Sequence, residues 1–319
     1  MTPHMKRERG STIVFVALAM VVILGFSALA IDLGVVATAR NQLQSAVDAA
    51  ALAGASGLIV SENEAQERAI AFAGLNDCIN EPVIITAADV TFPNASQVRV
   101  EANHEIDLYF ARVLGNNTAD IFAEAVAELG TLSGSGEVKP WAVPDSDYVL
   151  GDLVMLKTGH TGAPGAPPSF FYCVDFPPIN KGTPVPGANE YLENIIEGSD
   201  IVIEIGDILQ VEPGNMAGPT QQGVNELISM DPNAYWDTNT NTIQDSNYPE
   251  FTSPRVCKVS MYDPTEPPEP GRNYVTVIRL RAFFLEEMQG RDVYGRFISI
   301  TTGGEWGGPS DLYGVRLIE

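Results

Sequence analysis

The chain has 319 residues, 45% of them hydrophobic and 18% charged, so it is long enough for two modest cores and too apolar to stay disordered. Its formal net charge is −23, which excludes a chain built to grip nucleic-acid phosphates, because that needs clustered Lys and Arg. Three cysteines without CxxC spacing exclude a zinc-finger framework.

Residues 1–10 form a basic leader with Lys6, Arg7 and Arg9. From Ser11 to Ile31 the chain reads STIVFVALAMVVILGFSALAI, without a charge. As a helix this run spans roughly 30 Å, the thickness of a bilayer core. The preceding bases place the N-terminus in the cytoplasm by the positive-inside rule. The rest of the chain, nearly all of its acids included, then lies beyond the inner membrane, periplasmic or extracellular. Three fates of the run stand side by side. It is retained as a single-span anchor. It is a secretory signal cut after Ala28-x-Ala30. Or it is processed in prepilin fashion between Gly10 and Ser11, although prepilins typically carry Glu where this chain has Phe15.

Leu33, Val36, Arg40, Leu43, Val47, Ala50 and Gly54 recur at intervals of three and four, the period of one helix face. Nothing breaks the helical pattern, so residues 32–56 continue the span as an Ala-rich helix. Leu43, Val47, Ala50 and Gly54 form a small-residue face on which another helix or sheet approaches closely. Its partner is either a neighbouring chain or this chain's own folded domain. Asp48 caps, pairs or faces water.

At this point the residues carry a resemblance. The segment Arg9–Ser56 is similar to the N-terminal module of the TadE/TadG-like Flp (tight adherence) pilus-assembly proteins. The matching positions are Arg9 and Gly10, Ile31 to Gly34, Leu43, Gln44, Asp48 and Ala49 to Ala55. The resemblance implies a bitopic envelope protein whose outer part helps to assemble or anchor thin pili, with pilin or other assembly proteins as partners.

Residues 57–130 read as a small α+β domain. Glu62–Leu75 is a helix with Ala69, Phe72 and Ala73 on one face. PVIITAADVTF, QVRVEANHEI and ADIFAEAVAEL alternate as strands do, and DLYFARVLG reads as a helix ended by Gly115. A long helix on a small antiparallel sheet resembles the layout of pilin-like subunits. Residues 131–140, rich in Gly and Ser, read as a linker. Larger proteins of the TadG type can carry an adhesion domain with an Asp-x-Ser-x-Ser metal motif. Here Thr131-Leu132-Ser133-Gly134-Ser135 has the serines without the aspartate.

Residues 141–319 read as a β-rich extracytoplasmic domain, with strands over YVLGDLVMLK, FFYCVDF, DIVIEIGDILQV, RVCKVSMYD, NYVTVIRLRAFFLEE and DVYGRFISIT, and helices over NEYLENIIEG and PTQQGVNELIS. The fold class is therefore α+β, with a membrane helix in front and a β-rich C-terminal region behind. Cys173 and Cys257 are the pair for a disulfide if there is one, and three buried thiols are the other reading.

No motif of an enzyme stands out. His4, His104 and His160 have no ligand spacing, and no GxSxG, P-loop or dinucleotide fingerprint occurs. No cofactor is expected, with calcium the one alternative. Asp237, Asn239, Asn241 and Asp245 sit at positions 1, 3, 5 and 9 of a calcium loop, but Thr242 replaces the glycine and Tyr248 the glutamate. A polar loop with Asx turns accounts for the same residues. The readings of function are a membrane-anchored, non-enzymatic pilus-assembly component, a pseudopilin cut after Gly10, and a secreted or surface adhesin.

Overall fold

The computed structural model describes residues 11–157, 172–212, 214, 216–249, 251–268 and 274–318. The chain forms two compact units. One runs to Glu128 and takes in the chain again from Arg316; the other is Leu129–Val315.

The first unit is organised by α1, Ser11–Gly57, a single uninterrupted helix of 47 residues. Its second half packs on α2, Glu62–Gly74, and on an antiparallel sheet of Val90–Asn94, Gln97–Asp107 and the first part of Thr118–Ser135. The Ser61 hydroxyl caps α2 by accepting the Glu64 amide at 3.1 Å, and Arg68 pairs with Glu64 one turn away. The helices approach through alanines. Ala46, Ala50 and Ala53 of α1 and Ala65, Ala69 and Ala73 of α2 are buried. In the sheet, Val98, Val100 and Ala102 lie opposite Ala127, Ala125 and Ala123. All six are buried, and their period of two marks the face covered by helix.

Three expectations for this region change. Phe72 is exposed, and Ala65 takes its place on the buried face of α2. The strand expected from Pro82 is interrupted: Glu81–Pro82 pairs with Asp77–Cys78, and strand resumes at Val90 after a 3₁₀ turn at Ala87–Asp89, where Asp89 accepts from both the Thr86 amide and hydroxyl. The helix expected over Asp107–Gly115 is one 3₁₀ turn, Ala111–Leu114, stopped by Gly115 at φ +93°.

The second unit contains an eight-stranded sheet. Its order is Tyr274–Thr276, Ile208–Val211, Tyr172–Asp175, Val138–Pro144, Val256–Tyr262, Arg279–Gln289, Asp292–Ile298, Leu153–Lys157. Val138–Pro144 and Val256–Tyr262 run parallel, and the other neighbours are antiparallel. Helices α3, Ala188–Ile196, and α4, Ala217–Met230, supply Tyr191, Ile195, Val224 and Leu227 to a core with Trp141, Cys173, Cys257, Phe283 and Phe297. A second core holds Leu132, Val174, Ile203, Leu280, Phe284 and Leu312.

Residues 131–140 are not a linker. Thr118–Ser135 is one continuous strand, and Val138–Pro144 is a buried strand of the large sheet. The small residues serve close packing. A Cβ on Gly130 would fall 2.2 Å from the Trp306 ring, and one on Gly134 would fall 2.7 Å from Glu204 Cγ. The three cysteines are free and buried. Cys173 bonds the Tyr191 hydroxyl at 3.2 Å, and burial pushes the Cys257 thiol up to about 11 against the opposing pull of Lys139.

Asp175 and Glu212 are both buried at the end of adjacent strands, where the Glu212 amide donates to the Cys173 carbonyl at 2.8 Å. Burial first, and then the Glu212 carboxyl beside it, raise Asp175 to about 7, while the Gln210 amide pulls it down. The folded chain thus holds this proton more tightly than the unfolded chain does. The contribution to stability is complete below about pH 4 and is lost as pH rises through 7. Denaturant midpoints are expected to fall between pH 5 and pH 8, and Asp175→Asn is expected to flatten that fall. An unchanged pH profile in the variant would sink the assignment.

Candidate functional site at the root of the long helix

Among the described residues, none packs on the first half of α1. Ile13, Phe15, Leu18, Val21, Leu24 and Phe26 are all exposed, around the whole circumference of the helix. A helix that is apolar all round is stable only inside a protein core or a bilayer. Among the described residues, one helix is long and apolar enough to cross a membrane, and it is this one.

The change of environment is abrupt. Asp32 follows the apolar run directly and is 3% exposed. Its carboxylate accepts the backbone amide of Tyr109 at 2.9 Å on Oδ1, of Ala111 at 2.6 Å on Oδ2, and of Phe110 at 3.2 and 3.0 Å on the two oxygens. These amides open the Ala111–Leu114 turn, where no earlier carbonyl is in place to receive them. One carboxylate therefore fastens the turn to the base of the helix with charge-assisted bonds.

Further along α1, Gln44 donates to the Glu124 carbonyl at 2.9 Å and to Asp48 Oδ1 at 2.8 Å. Asp48 is thus held within its own helix. Gln42 accepts the Ile79 amide at 2.9 Å. Leu43, Val47, Ala50 and Gly54 are buried. Of the two partners left open by the sequence, the chain's own folded domain is the one they meet, and the reading in which they meet a neighbouring chain is corrected. Their partners are α2 and the sheet of the same unit, because small side chains here let two elements of one chain close on each other. A Cβ on Gly54 would lie 3.0 Å from Val98 Cγ1 and 3.2 Å from both Ala65 O and Ala69 Cβ. Gly54→Leu is expected to cost about 3 kcal/mol by overpacking, read as a lower thermal midpoint of the first unit. A midpoint within a degree of the parent would contradict this packing.

Of the other residues singled out, Gly10, His4 and His160 lie outside the described residues, and Ser11 is the first residue of α1. His104 lies on the Gln97–Asp107 strand opposite Ile121 and lines a cleft of about 410 Å³ with Glu81, Glu105, Asp107 and Tyr109. Asp237 and Asn241 sit at the turn of a hairpin, Tyr235–Asp237 with Thr242–Gln244, and Asp245 directly follows it. Asp237 accepts the Asn239 amide at 2.8 Å and its side-chain nitrogen at 3.0 Å, an Asx turn. That backbone bond is the main reason its carboxyl sits below the usual range. Asn241 and Asp245 adopt left-handed φ of +53° and +54°. Among the described residues, no three His, Cys, Asp or Glu side chains come together in a metal-sized group.

Sequence reading gave Asp32 no role. The available signal was a charge placed flush against the end of an apolar helical run, which is costly unless partners neutralise it.

The model of the Flp pilus-assembly TadE/G-like family matches residues 10–57, which is α1 with one residue before it. No curated protein and no solved structure matches the chain.

Proposed function

We propose that this chain is a membrane-anchored, non-enzymatic component of Flp-type pilus assembly. The observation that carries the reading is the coincidence of the family match with a helix divided in two, one half bare and apolar and the other half packed. In this reading the bare half is held in the inner membrane with Lys6, Arg7 and Arg9 on the cytoplasmic side. The two units then stand outside and contact pilin or other assembly proteins. A pseudopilin is the second reading, favoured by the long helix lying on a small antiparallel sheet.

Intact mass and N-terminal sequencing of the protein from native membranes test this. A chain starting at Met1 is expected. A start at Ser11 makes it a prepilin-peptidase substrate and favours the pseudopilin. A start at Ile31 makes it a secreted protein, and the anchor reading fails.

A further inference from the structure

Tyr109, Phe110 and Val113 are 62%, 43% and 88% exposed, three large apolar side chains within five residues of a short turn. Exposed apolar residues scattered singly are ordinary on a protein surface, and a cluster is not. The position of this cluster is fixed by Asp32, whose carboxylate lies within 3.2 Å of the amides of Tyr109, Phe110 and Ala111. Asp32 is the residue immediately after the apolar run, and Leu29, Ile31 and Leu33 around it are also exposed. The turn therefore stands at the level where the helix leaves the bilayer, and its apolar side chains continue the apolar surface of the span.

We propose that the Tyr109–Val113 turn is a second membrane contact, which seats its side chains at the headgroup–acyl boundary of the leaflet that Asp32 adjoins. The chemistry suits that layer. Tyr109 has an apolar ring with a hydroxyl tip, the side-chain type enriched at membrane interfaces. Arg112 pairs with Asp107 at 2.9 Å and has a stem long enough to keep its charge among lipid phosphates. Asp32 tolerates the boundary because three backbone amides replace water around its charge. Contacts of this kind reach about 5–10 Å into the boundary region. The inference rests on the reading of the apolar run as a membrane span, and the test separates the two.

The full chain carrying Val113→Cys is labelled with an NBD maleimide and reconstituted in vesicles of phosphatidylcholine and phosphatidylglycerol. The native thiols are buried, so the introduced one is the reactive site. Leu29→Cys, in the span, and Val60→Cys, in the turn after α1, whose end lies about 38 Å beyond Asp32, serve as references. With acyl chains brominated near the headgroup, position 113 is expected to lose emission about twofold, as position 29 does, while position 60 does not change. Quenching at 29 without quenching at 113 overturns the inference and leaves the span intact. Blue-shifted but unquenched emission at 113 places the turn against protein, a second copy of this chain, and overturns it equally. No quenching at 29 removes the span, and the inference with it.

Discussion

Replacing Arg255 with Met is expected to unfold the second unit at markedly lower temperature, with a loss of about 3–5 kcal/mol and a midpoint about 10 °C lower. Arg255 is 3% exposed. Its Nε donates to the Leu285 carbonyl at 2.8 Å, one terminal nitrogen donates to the carbonyls of Asp231 and Ala234 at 3.0 and 2.6 Å, and the other donates to that of Glu286 at 2.7 Å. The guanidinium also lies 4.8 Å from the centre of the Phe284 ring. It ties the chain after α4 to the Arg279–Gln289 strand. The Asp231 carboxylate adds the Ser246 and Ser253 hydroxyls, each at 2.6 Å. Met fills part of the space but removes the guanidinium donor from four carbonyls, three of them in the buried residues Asp231, Ala234 and Leu285, and each lost partner costs desolvation. Arg255→Lys is expected to rescue little, since an ammonium cannot reach donors placed around a planar fork. Guanidinium melts of the three proteins decide the matter, and equal midpoints would contradict the bonding described.

Replacing Asp32 with Ala is expected to release the Tyr109–Ala111 amides, with roughly tenfold faster hydrogen exchange confined to that turn. Exchange mass spectrometry on the full chain in detergent or nanodiscs reads this directly. If Asp32 acts only as a polar stop at the membrane surface, Asp32→Ala leaves the exchange of residues 109–111 unchanged. Asp32→Asn is expected to fall between, because its amide keeps one acceptor oxygen and presents N–H groups to the remaining amides. Under the proposed function, both variants are expected to reduce piliation in step with their exchange rates.

The long helix was readable because apolar content and a period of three to four persist over it without a breaker. The family match at residues 10–57 falls on the same stretch. The small α+β layout was readable from alternation, and helices were expected where α3 and α4 lie. Elsewhere, local signals were overridden by contacts distant in sequence. Gly130 and Gly134 carry the composition of a linker, yet their missing side chains make room for Trp306 and Glu204. Small residues mean flexibility or close packing, and only the partner decides which. The Leu43–Gly54 face is the same ambiguity on a helix. Asp32, Arg255, and Asp175 with Glu212 escaped because their meaning depends on backbone groups or side chains far away in sequence. The order of the eight-stranded sheet, with Val138–Pro144 and Val256–Tyr262 running parallel at its middle, left no local trace.

The absence of any break in α1 has a mechanical consequence. An unbroken helix of this length is a rod of about 70 Å without a hinge, and the first unit is built along its far half. When the near half leans, the far end must swing with it. A lean of about 20°, ordinary for a membrane helix, carries the end of α1 sideways by about 13 Å over the length beyond Asp32. If the near half spans a bilayer as proposed, helix neighbours, interfacial anchors and bilayer thickness together set that lean, and the far end of the first unit moves with it.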